Sequence, residues 1–385
     1  MPGKNSLFGF ARMRGALRHI DGILTLSMVP LLAAGLVTIN SFVSENSLFE
    51  RQVVWIMFGT AAFLGASFVD WRFLKNTKVV VALFLGIIAS LLLLFVAGTV
   101  TKGALSRFDV GAFFIQPSDP AKLVLIIVLA KYFSRRHIEI AHIRHIIISG
   151  VYTLLLFGLV FLQPDFGGAI IIFLVWLGMV LVSGISKKHL LAVFLIGLLS
   201  FGGLWFFVFA DYQKARIRTF INPLTDIHGA GYNAYQSTVT VGSGELIGKG
   251  LGFGTQSRLR FLPEYETDFV FAAFAEEWGF VGIILVFVLF GILMWRIIRA
   301  GMRGASNFET LYAYGLATLF LAHFTIHVGM NIGILPVTGT TIPFMSYGGS
   351  HLLMEFVGLG ILMGMRRYGR PAPRQALTRE FVGPK

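Results

Sequence analysis

The sequence of 385 residues contains no cysteine, and only 13% of its residues are charged. The absence of cysteine excludes disulfides, thiolate catalysis and cysteine-bound metal. Soluble domains usually have about a quarter of their residues charged, whereas this chain has about half that proportion and is 56% hydrophobic. The shortage of charge therefore excludes an ordinary soluble protein, a disordered chain and a disulfide scaffold, and it favours a membrane protein.

Long apolar runs divide the chain into segments of membrane-spanning length, because a helix needs about 20 apolar residues to cross the hydrocarbon of a bilayer. The sequence predicts an all-α polytopic membrane protein with about ten transmembrane helices and a large outer loop, 211–267, between helices 7 and 8. The predicted spans are residues 20–40, 52–69, 79–100, 117–133, 145–163, 166–184, 189–210, 268–295, 311–333 and 350–365.

The net charge of +13 comes mostly from basic residues beside the ends of predicted helices. Nucleic-acid binding would gather these charges on one face or in one tail, so we interpret them as topology signals. With the N-terminus in the cytoplasm, 22 of the 32 Lys and Arg residues fall on the cytoplasmic side, as the positive-inside rule requires. We expect a cytoplasmic basic arm at 1–19, a single membrane domain at 20–367 and a cytoplasmic basic tail at 368–385, in the cytoplasmic (inner) membrane.

The predicted outer loop at 211–267 is too long for a plain turn, and loops of this length are usually functional or disordered. It mixes aromatic residues, glycines and cations, and we expect it to be ordered against the membrane face. Its cations can hold a phosphate-bearing lipid headgroup; alternatively, some of them only pair with carboxylates of the loop. The cations are Lys214, Arg216, Arg218, Lys249, Arg258 and Arg260, and the carboxylates are Glu245, Glu264 and Glu266.

A glycine-rich run from Gly242 to Gly250 superficially resembles a nucleotide-binding P-loop. The spacing from Gly244 to Gly248 is one residue too short, glycine follows Lys249 where Ser or Thr is needed, and no hydrophobic strand precedes the run. The predicted outer side of the membrane also lacks a pool of nucleotides. Any bond formed there must draw its energy from a substrate that arrives activated, such as a lipid-linked diphosphate sugar.

Carboxylates at the boundary between polar loop and apolar span are candidates for acid–base chemistry. Asp268 lies at such a boundary, where a carboxylate half withdrawn from water is suited to act as a general base; alternatively, Asp268 only caps the following helix. Glu276 and Glu277 follow about 12 Å deeper along the helix axis, too far for a carboxylate pair acting on one bond. We expect them to anchor a buried polar network, for example with Lys122 or Arg107.

Two turns that contain a Gln-Pro pair, 116–120 and 163–165, also fall on the predicted outer face. Asp119 and Asp165 in these turns suit either helix N-caps or substrate contacts. Lys122 lies one turn into a span, where an ammonium group needs a carboxylate or phosphate partner.

Two histidines in the ninth predicted span, His323 and His327, have the i,i+4 spacing that zinc ligands use. Without a third ligand nearby in the sequence, we favour hydrogen bonding in the interior of the bundle. The Pro- and Gly-broken stretch that follows, 335–350, is interpreted as an outer loop that lines a cavity, because irregular backbone at membrane depth is tolerated there.

Together these residues make the chain recognisable: it resembles the SEDS family of polytopic membrane proteins, and the resemblance covers nearly all of the spans. The run Gly248-Lys249-Gly250 followed by Gly254-Thr255-Gln256 is more similar to the RodA branch of the family than to the FtsW branch. The other motifs that carry the resemblance are Gln116-Pro117-Ser118 with Lys122, Gln163-Pro164-Asp165, Gly231-Tyr232, Gln236-Ser237, Gly242-Ser243-Gly244, Leu262-Pro263-Glu264, Thr267-Asp268-Phe269, Ala275-Glu276-Glu277 and Ser346-Tyr347-Gly348-Gly349-Ser350.

The resemblance implies a peptidoglycan glycosyltransferase that polymerises lipid II into glycan strands at the outer face of the membrane during cell elongation. It implies a class B penicillin-binding transpeptidase as partner, and it places the family's essential acid at Asp268, as the base that deprotonates the acceptor's sugar 4-hydroxyl in an inverting transfer. The lipid diphosphate leaves, and its charge needs Arg, Lys or a divalent cation such as Mg or Mn. We expect substrate contacts from Arg107, Asp119, Lys122, Asp165, Arg216, Arg218, Lys249, Gln256, Glu276 and Ser346.

Two other functions fit less of the sequence. A transporter (flippase) for lipid-linked precursors needs polar residues distributed across the membrane, whereas the inner half of most spans is nearly free of charge. The other alternative is a non-catalytic scaffold for a partner enzyme, but the intact motif around Asp268 argues against this function. Among the departures from the family pattern, Asp119 stands where the family usually has Glu, and Asn331 runs into Leu335 about four residues early.

Overall fold

The computed structural model describes residues 19–42, 47–101, 104–110, 113–135, 143–222, 226, 229–259 and 261–369. The expected arm at 1–19 therefore lies outside the described residues except for His19. The expected tail at 368–385 also lies outside them except for Tyr368 and Gly369.

Ten long helices coincide with the ten predicted spans, and the prediction of an all-α polytopic membrane protein is confirmed in its main architecture. Within the described residues, six of the ten, those numbered 1, 3, 5, 7, 11 and 12, are each long and apolar enough to cross a membrane. The ten helices are α1 (Gly22–Phe42), α2 (Ser47–Phe68), α3 (Thr77–Ala97), α4 (Ser118–Ser134), α5 (Ile143–Leu162), α6 (Phe166–Val182), α7 (Lys187–Phe207), α11 (Val270–Met302), α12 (Asn307–Asn331) and α13 (Gly349–Tyr368).

The long loop between the seventh and eighth spans is largely helical. It contains α8 (Asp211–Ile221), α9 (Ala230–Ser243) and the single turn α10 (Thr255–Arg258). Helix α9 packs against α8 and α11, so this helix joins the loop to the bundle. A further short 3-10 helix, Trp71–Lys75, connects α2 to α3.

One element departs from the all-α prediction. Strands β1 (Thr99–Thr101), β2 (Ala104–Val110) and β3 (Phe113–Ile115) form an antiparallel sheet in the order β1-β2-β3 between α3 and α4. Thr99 lies opposite Arg107, and Phe108 lies opposite Ile115. The sequence did not reveal this sheet because strands of three to seven residues are too short to show a clear alternating pattern.

Helix α12 lies at the centre of the bundle and packs against α4, α6, α11 and α13. Helix α13 runs along α2, and α11 runs along α1. The central position of α12 explains why most of its polar residues are buried, since neighbouring helices cover most of its surface. Helix α7 is the opposite case, because none of its residues is buried within the described structure.

Both described ends of the chain lie at one end of the bundle. Arg366 Nη1 donates to Asp21 Oδ2 over 3.1 Å, and the Tyr368 hydroxyl donates to Phe68 O over 3.0 Å. We call this end, marked by Asp21 and Tyr368, the terminal end. The opposite end, which carries the sheet and the long loop, is called the loop end.

Candidate active site at the loop end

Asp268 is partly buried and lies in the turn that leads into α11. Residues of other segments form hydrogen bonds with the backbone of this turn. Three consecutive carbonyl oxygens in this turn each accept a hydrogen bond from a different residue of another segment. Glu266 O accepts from Tyr347 N (2.9 Å), Thr267 O from Ser346 Oγ (2.8 Å) and Asp268 O from Asn331 Nδ2 (3.1 Å). The turn that carries the carboxylate is therefore rigidly positioned before any substrate arrives.

Asn331, the last residue of α12, is fully buried and makes hydrogen bonds with every polar atom of its side chain. Its Nδ2 donates to Asp268 O and to His327 O (2.8 Å). Its Oδ1 accepts from Ala272 N (3.1 Å), one of the free amide groups in the first turn of α11, and from Ser237 Oγ (3.3 Å). Asn331 thus joins α9, α11 and α12 around Asp268.

The loop at 332–348 passes beside the carboxylate. A Cβ atom at Gly339 would lie 3.4 Å from Asp268 Oδ2, so the backbone of this loop is in contact distance of the carboxylate. Arg216 of α8 donates from Nη1 to Thr338 O over 3.3 Å. The Asp268 carboxylate and the Arg216 guanidinium therefore lie beside two adjacent residues of this loop, Gly339 and Thr338.

The two histidines of α12 hold the next two residues of the same loop. His327 Nδ1 lies 2.7 Å from Thr340 O, and His323 Nδ1 lies 3.2 Å from Thr341 O. These contacts confirm that the i,i+4 pair serves hydrogen bonding in the bundle interior. Across the described part of the chain, no group of three or more His, Asp or Glu side chains is arranged to hold a metal ion.

A cavity of about 320 Å³ opens beside Arg216. It lies between α8, α9 and the first residues of the 332–348 loop, and its polar lining comes from Arg216, Thr219, Tyr235 and Thr238. Because Arg216 both lines the cavity and bonds Thr338 O, the cavity adjoins the stretch of loop that faces Asp268.

Glu276 is fully buried, and its carboxylate organises a different part of the long loop. The expected buried network exists, but neither of the partners suggested for it, Lys122 and Arg107, belongs to it. The donors to Glu276 are Lys249 Nζ (2.8 Å), Gln256 N (3.0 Å), Thr255 Oγ1 (3.3 Å), Ser257 N (3.3 Å), Ser257 Oγ (3.1 Å) and Ser243 Oγ (3.5 Å). Glu276 therefore caps α10 and neutralises Lys249, and Gln256 contributes its backbone amide here.

The glycine-rich run explains how the loop reaches Glu276. Helix α11 is broken at Gly279, which has a φ of 64°, so the carbonyls of Glu276 and Glu277 lose their helical partners. They accept instead from Lys249 N (2.9 Å) and Gly250 N (3.0 Å). The run that resembles a P-loop thus donates backbone hydrogen bonds to the kinked helix. Its glycines permit the close approach of the two backbones.

Lys122 has the carboxylate partner that its position requires. Its Nζ donates to Asp119 Oδ1 over 3.0 Å and lies 3.4 Å from His323 Nε2, and both charged side chains are about 6% exposed. His351 of α13 continues the cluster, with Nδ1 3.7 Å from Asp119 Oδ1 and Nε2 2.8 Å from Glu355 Oε1. The contact between Asp119 and Lys122 survives although Asp is shorter than the usual Glu. Asp119 is not the N-cap of α4, because Pro117 holds that position.

Asp165 joins the two Gln-Pro turns. It is the N-cap of α6, as one of its two interpretations predicts, and its Oδ1 accepts from Gly168 N over 2.8 Å. Its Oδ2 accepts from Gln116 Nε2 and Ser118 Oγ, each over 3.2 Å. The turn before α4 and the turn before α6 therefore form one polar surface at the loop end.

Two of the expected substrate contacts lie apart from Asp268. Arg107 is on β2, where its guanidinium lies 4.7 Å from the centre of the Phe114 ring. Arg218 is exposed near the end of α8. Ser346, by contrast, is close to Asp268, but its hydroxyl is engaged by backbone, since it donates to Thr267 O and accepts from Ile342 N.

Three residues of the site were missed by sequence reasoning: Asn331, His351 and Glu355. Glu355 lies inside the tenth predicted span, and its Oε2 accepts from Phe344 N over 3.1 Å. The available signal was the same for all three, a polar side chain at a position that the apolar pattern assigns to a membrane span. That signal shows that a partner exists, and only the fold shows which one.

Comparison with known proteins places these residues in context. A family model described as a cell cycle protein, named for FtsW, RodA and SpoVE, matches residues 16–370. Stage V sporulation protein E of Bacillus subtilis (strain 168) is 34% identical over 355 residues, which cover 90% of this chain and 95% of that protein. Peptidoglycan glycosyltransferase MrdB of Escherichia coli (strain K12) is 34% identical over 357 residues, which cover 91% and 94%.

Solved structures show the same similarity. The rod shape determining protein RodA of Thermus thermophilus aligns with a TM-score of 0.69 and 28% identity, covering 91% of this chain and 97% of that one. A chain from a peptidoglycan synthase complex, described as coordinating polymerization and crosslinking, aligns with a TM-score of 0.78 and 29% identity, covering 90% and 97%.

Proposed function

This chain belongs to the cell cycle protein family of FtsW, RodA and SpoVE, and we propose that it polymerises lipid II into glycan strands at the outer face of the cytoplasmic membrane, with Asp268 as general base. It is a peptidoglycan glycosyltransferase, the activity for which its relative MrdB is named. An elongation role is supported by the similarity to MrdB and to a rod shape determining protein.

The observation that carries the base assignment is the anchoring of the Asp268 turn. A general base must lie within hydrogen-bond reach of the proton that it removes, and a small displacement of a catalytic group costs a large part of the rate. Tyr347, Ser346 and Asn331 each hold one carbonyl of that turn. These bonds support the assignment, because they fix the backbone from which the Asp268 carboxylate projects.

In the proposed reaction, the acceptor's sugar 4-hydroxyl transfers its proton to the Asp268 carboxylate. The acceptor oxygen forms a bond to the anomeric carbon of the donor, and the bond from that carbon to the diphosphate oxygen breaks. The electron pair leaves on the lipid diphosphate, and attack from the opposite face inverts the configuration. No nucleotide is needed, because the donor carries its own leaving group.

The charge that develops on the diphosphate needs a cation nearby. Arg216 supplies one, since its guanidinium lines the 320 Å³ cavity and contacts the loop beside Asp268. Magnesium in such sites is typically held by one or two carboxylates together with substrate phosphates. Among the described residues, no three acidic or histidine side chains are arranged to hold a metal ion, so a divalent cation would take most of its ligands from the diphosphate.

The partner in this proposal is a class B penicillin-binding transpeptidase, which crosslinks the strands as they form. The similarity to a chain from a synthase complex that coordinates polymerization and crosslinking supports it. The proposed orientation has the loop end outside and the terminal end in the cytoplasm. The excess of Lys and Arg near the terminal end supports this orientation.

The test is glycan-strand formation from labelled lipid II by the purified protein in lipid nanodiscs, with and without the cognate transpeptidase. Asp268→Asn keeps the shape of the side chain and removes the base, so we expect the rate to fall at least about 100-fold with an unchanged melting temperature. Glu245→Gln is the matched control, because Glu245 is an exposed carboxylate of the same loop, and it should retain nearly the full rate.

Polymer from the wild type and from Glu245→Gln, but not from Asp268→Asn, supports the assignment. An active Asp268→Asn enzyme would remove Asp268 as the base. If the folded wild type forms no polymer even with the transpeptidase, the result favours the scaffold and flippase functions. Lipid translocation is then the next assay.

A further inference from the structure

A cavity at the terminal end of the bundle is lined by more positive than negative charge. Its volume is about 120 Å³, whereas a single water needs roughly 10–15 Å³, so a group of several non-hydrogen atoms fits. The charged side chains that line it are Arg296, Arg299, Arg303, Arg366, Asp21 and Glu309.

The two carboxylates of the cavity already have partners. Asp21 accepts from Arg296 Nε (3.0 Å) and from Arg366 Nη1 (3.1 Å). Glu309 accepts from Lys75 Nζ (3.0 Å) and from Ala305 N (3.0 Å). The negative charge of the cavity is therefore neutralised inside the protein.

Arg299 and Arg303 are in a different situation. Neither forms a salt bridge with a carboxylate of the residues that the structure describes. Arg299 lies over the ring of Trp295, with its guanidinium carbon 5.2 Å from the ring centre. Two guanidinium groups thus remain on the cavity wall with their charge uncompensated, and guanidinium is the side-chain group best matched to phosphate oxygens.

We propose that this cavity binds a phosphate group, and that the headgroup of an anionic phospholipid supplies it. The proposal rests on the juxtaposition of Arg299 and Arg303 in a cavity whose carboxylates are already paired. Exposed apolar side chains adjoin on the same helix, namely Trp295, Ile298 and Met302. The acyl chains of a lipid can cover these residues while its headgroup enters the cavity. A free phosphate has no chains to cover them.

By charge, the two terminal segments of the chain are poor occupants of the cavity. Residues 1–18 carry four basic and no acidic side chains, and residues 370–385 carry four basic and one acidic. A positively charged segment does not complement a cavity with excess positive charge. Basic cavities between helices at the cytoplasmic side of membrane proteins commonly receive lipid headgroups, and the proposed orientation puts this cavity there.

The experiment uses the full chain in neutral detergent and titrates a short-chain phosphatidylglycerol, with short-chain phosphatidylcholine as the neutral lipid. Lipid binding is read from the rise in melting temperature, at 0.15 M salt, where charges beyond about 8 Å are screened. Arg299→Gln with Arg303→Gln removes the two uncompensated charges and leaves the pairs of Asp21 intact. Lys78→Gln with Arg144→Gln is the matched control, because both side chains are exposed at the terminal end and outside the cavity.

A basic side chain near an anionic lipid contributes about 1 kcal/mol, or about fivefold in affinity. We therefore expect phosphatidylglycerol to bind about 25-fold more weakly to the Arg299→Gln, Arg303→Gln variant and less than about twofold more weakly to the control pair. Equal weakening in both variants, or equal binding of phosphatidylcholine by the wild type, would overturn the proposal.

Inorganic phosphate is the third arm of the experiment and separates the two sources of the group. If it alone raises the melting temperature of the wild type but not of the Arg299→Gln, Arg303→Gln variant, the phosphate site stands and the lipid headgroup is rejected. The readout is binding, so failure of the glycosyltransferase proposal would leave this result unaffected, and the reverse also holds.

Discussion

At the scale of single residues, the ion pair of Lys122 with Asp119 shows how a buried charge depends on its partner. Both side chains are almost completely buried, and removing one member of such a pair typically costs about 3–5 kcal/mol because the other charge is left uncompensated. We expect Lys122→Met, which keeps the length of the side chain, to lower the free energy of unfolding by about 3 kcal/mol. Thermal unfolding of the purified protein measures the change.

The control for this prediction removes both charges. Asp119→Asn combined with Lys122→Met leaves no isolated carboxylate, so the double variant should recover most of the stability that Lys122→Met loses. A melting temperature of Lys122→Met equal to that of the wild type would contradict the pairing.

Asn331 acts on catalysis through another residue. Asn331→Leu has a similar volume but leaves Asp268 O and Ala272 N without their partners, at about 1–3 kcal/mol for each buried group. Because the turn of Asp268 loses one of its three anchors, we expect the rate of polymerisation to fall about tenfold or more, with the KM for lipid II little changed. Polymerisation kinetics and thermal unfolding check the two effects separately.

Ser237→Ala is the matched control for Asn331. It removes hydrogen bonds to Asn331 O and Oδ1 but leaves the bond to Asp268 O in place. Its melting temperature should fall while its rate stays close to that of the wild type. If both variants lose rate in proportion to their loss of stability, Asn331 is only structural.

Residue-level prediction succeeded where one position alone is informative. A charge inside a span needs a partner, and both Lys122 and Glu276 have one. The partner of Lys122 is Asp119, three residues earlier on its own helix and so within reach of a local pattern, whereas the partner of Glu276, Lys249 of the long loop, was not predictable. Which groups meet depends on how the loop folds back on α11, and no local pattern encodes that.

At the scale of elements, the glycine-rich run and the kink of α11 form one unit. Gly248 has a φ of +80°, and a Cβ there would lie 2.0 Å from Glu277 O. We expect Gly248→Ala to cost about 3 kcal/mol or more, since a positive φ alone costs roughly 1–2 kcal/mol for a residue with a Cβ and the overlap is with backbone. The polymerisation rate should fall with it, because the network of Glu276 is held by this contact.

Gly250→Ala is the control for this element. Its φ is +92°, but a Cβ there would meet only Phe253 Cδ2 at 3.5 Å, an ordinary contact. It should therefore cost only about 1–2 kcal/mol. Thermal unfolding of the two variants separates the cost of the overlap with Glu277 O from the cost of the positive φ. Equal losses of stability in the two variants would contradict a role for the contact with Glu277 O.

The helices were predictable from the sequence because apolar runs of about 20 residues have few alternatives in a membrane chain. The kink was not, because Gly279 lies inside a predicted span and the residues that bond the freed carbonyls of Glu276 and Glu277, Lys249 and Gly250, belong to the long loop. The same limit applies to the sheet around Arg107, whose short strands are stabilised by one another rather than by a long local pattern.

At the scale of the whole molecule, Asp21 ties the first helix to the eighth and tenth spans at the terminal end. Leu24 N, Arg296 and Arg366 all donate to its carboxylate. Three helices far apart in sequence therefore depend on one ionised group, and the stability of the bundle is linked to its charge.

This link predicts a dependence of stability on pH. Burial raises the pKa of Asp21, but hydrogen bonds from Arg296 and Leu24 and the charges of Arg296 and Arg366 oppose burial and hold the pKa below its ordinary value. The unfolded chain then binds the proton more readily than the folded chain does, so the contribution of Asp21 is complete above about pH 4, the ordinary pKa of Asp. It is lost as the pH falls through the lower pKa of the folded state.

Comparison of the wild type with Asp21→Asn isolates this group from the other carboxylates. At pH 7 the variant should be about 2 kcal/mol less stable, since it loses hydrogen bonds between charged partners. Below pH 4 the two melting temperatures should converge, because the wild-type carboxyl becomes protonated and resembles the amide. A difference in melting temperature that stays constant from pH 7 to pH 3 would show that Asp21 contributes through its shape and not through its charge.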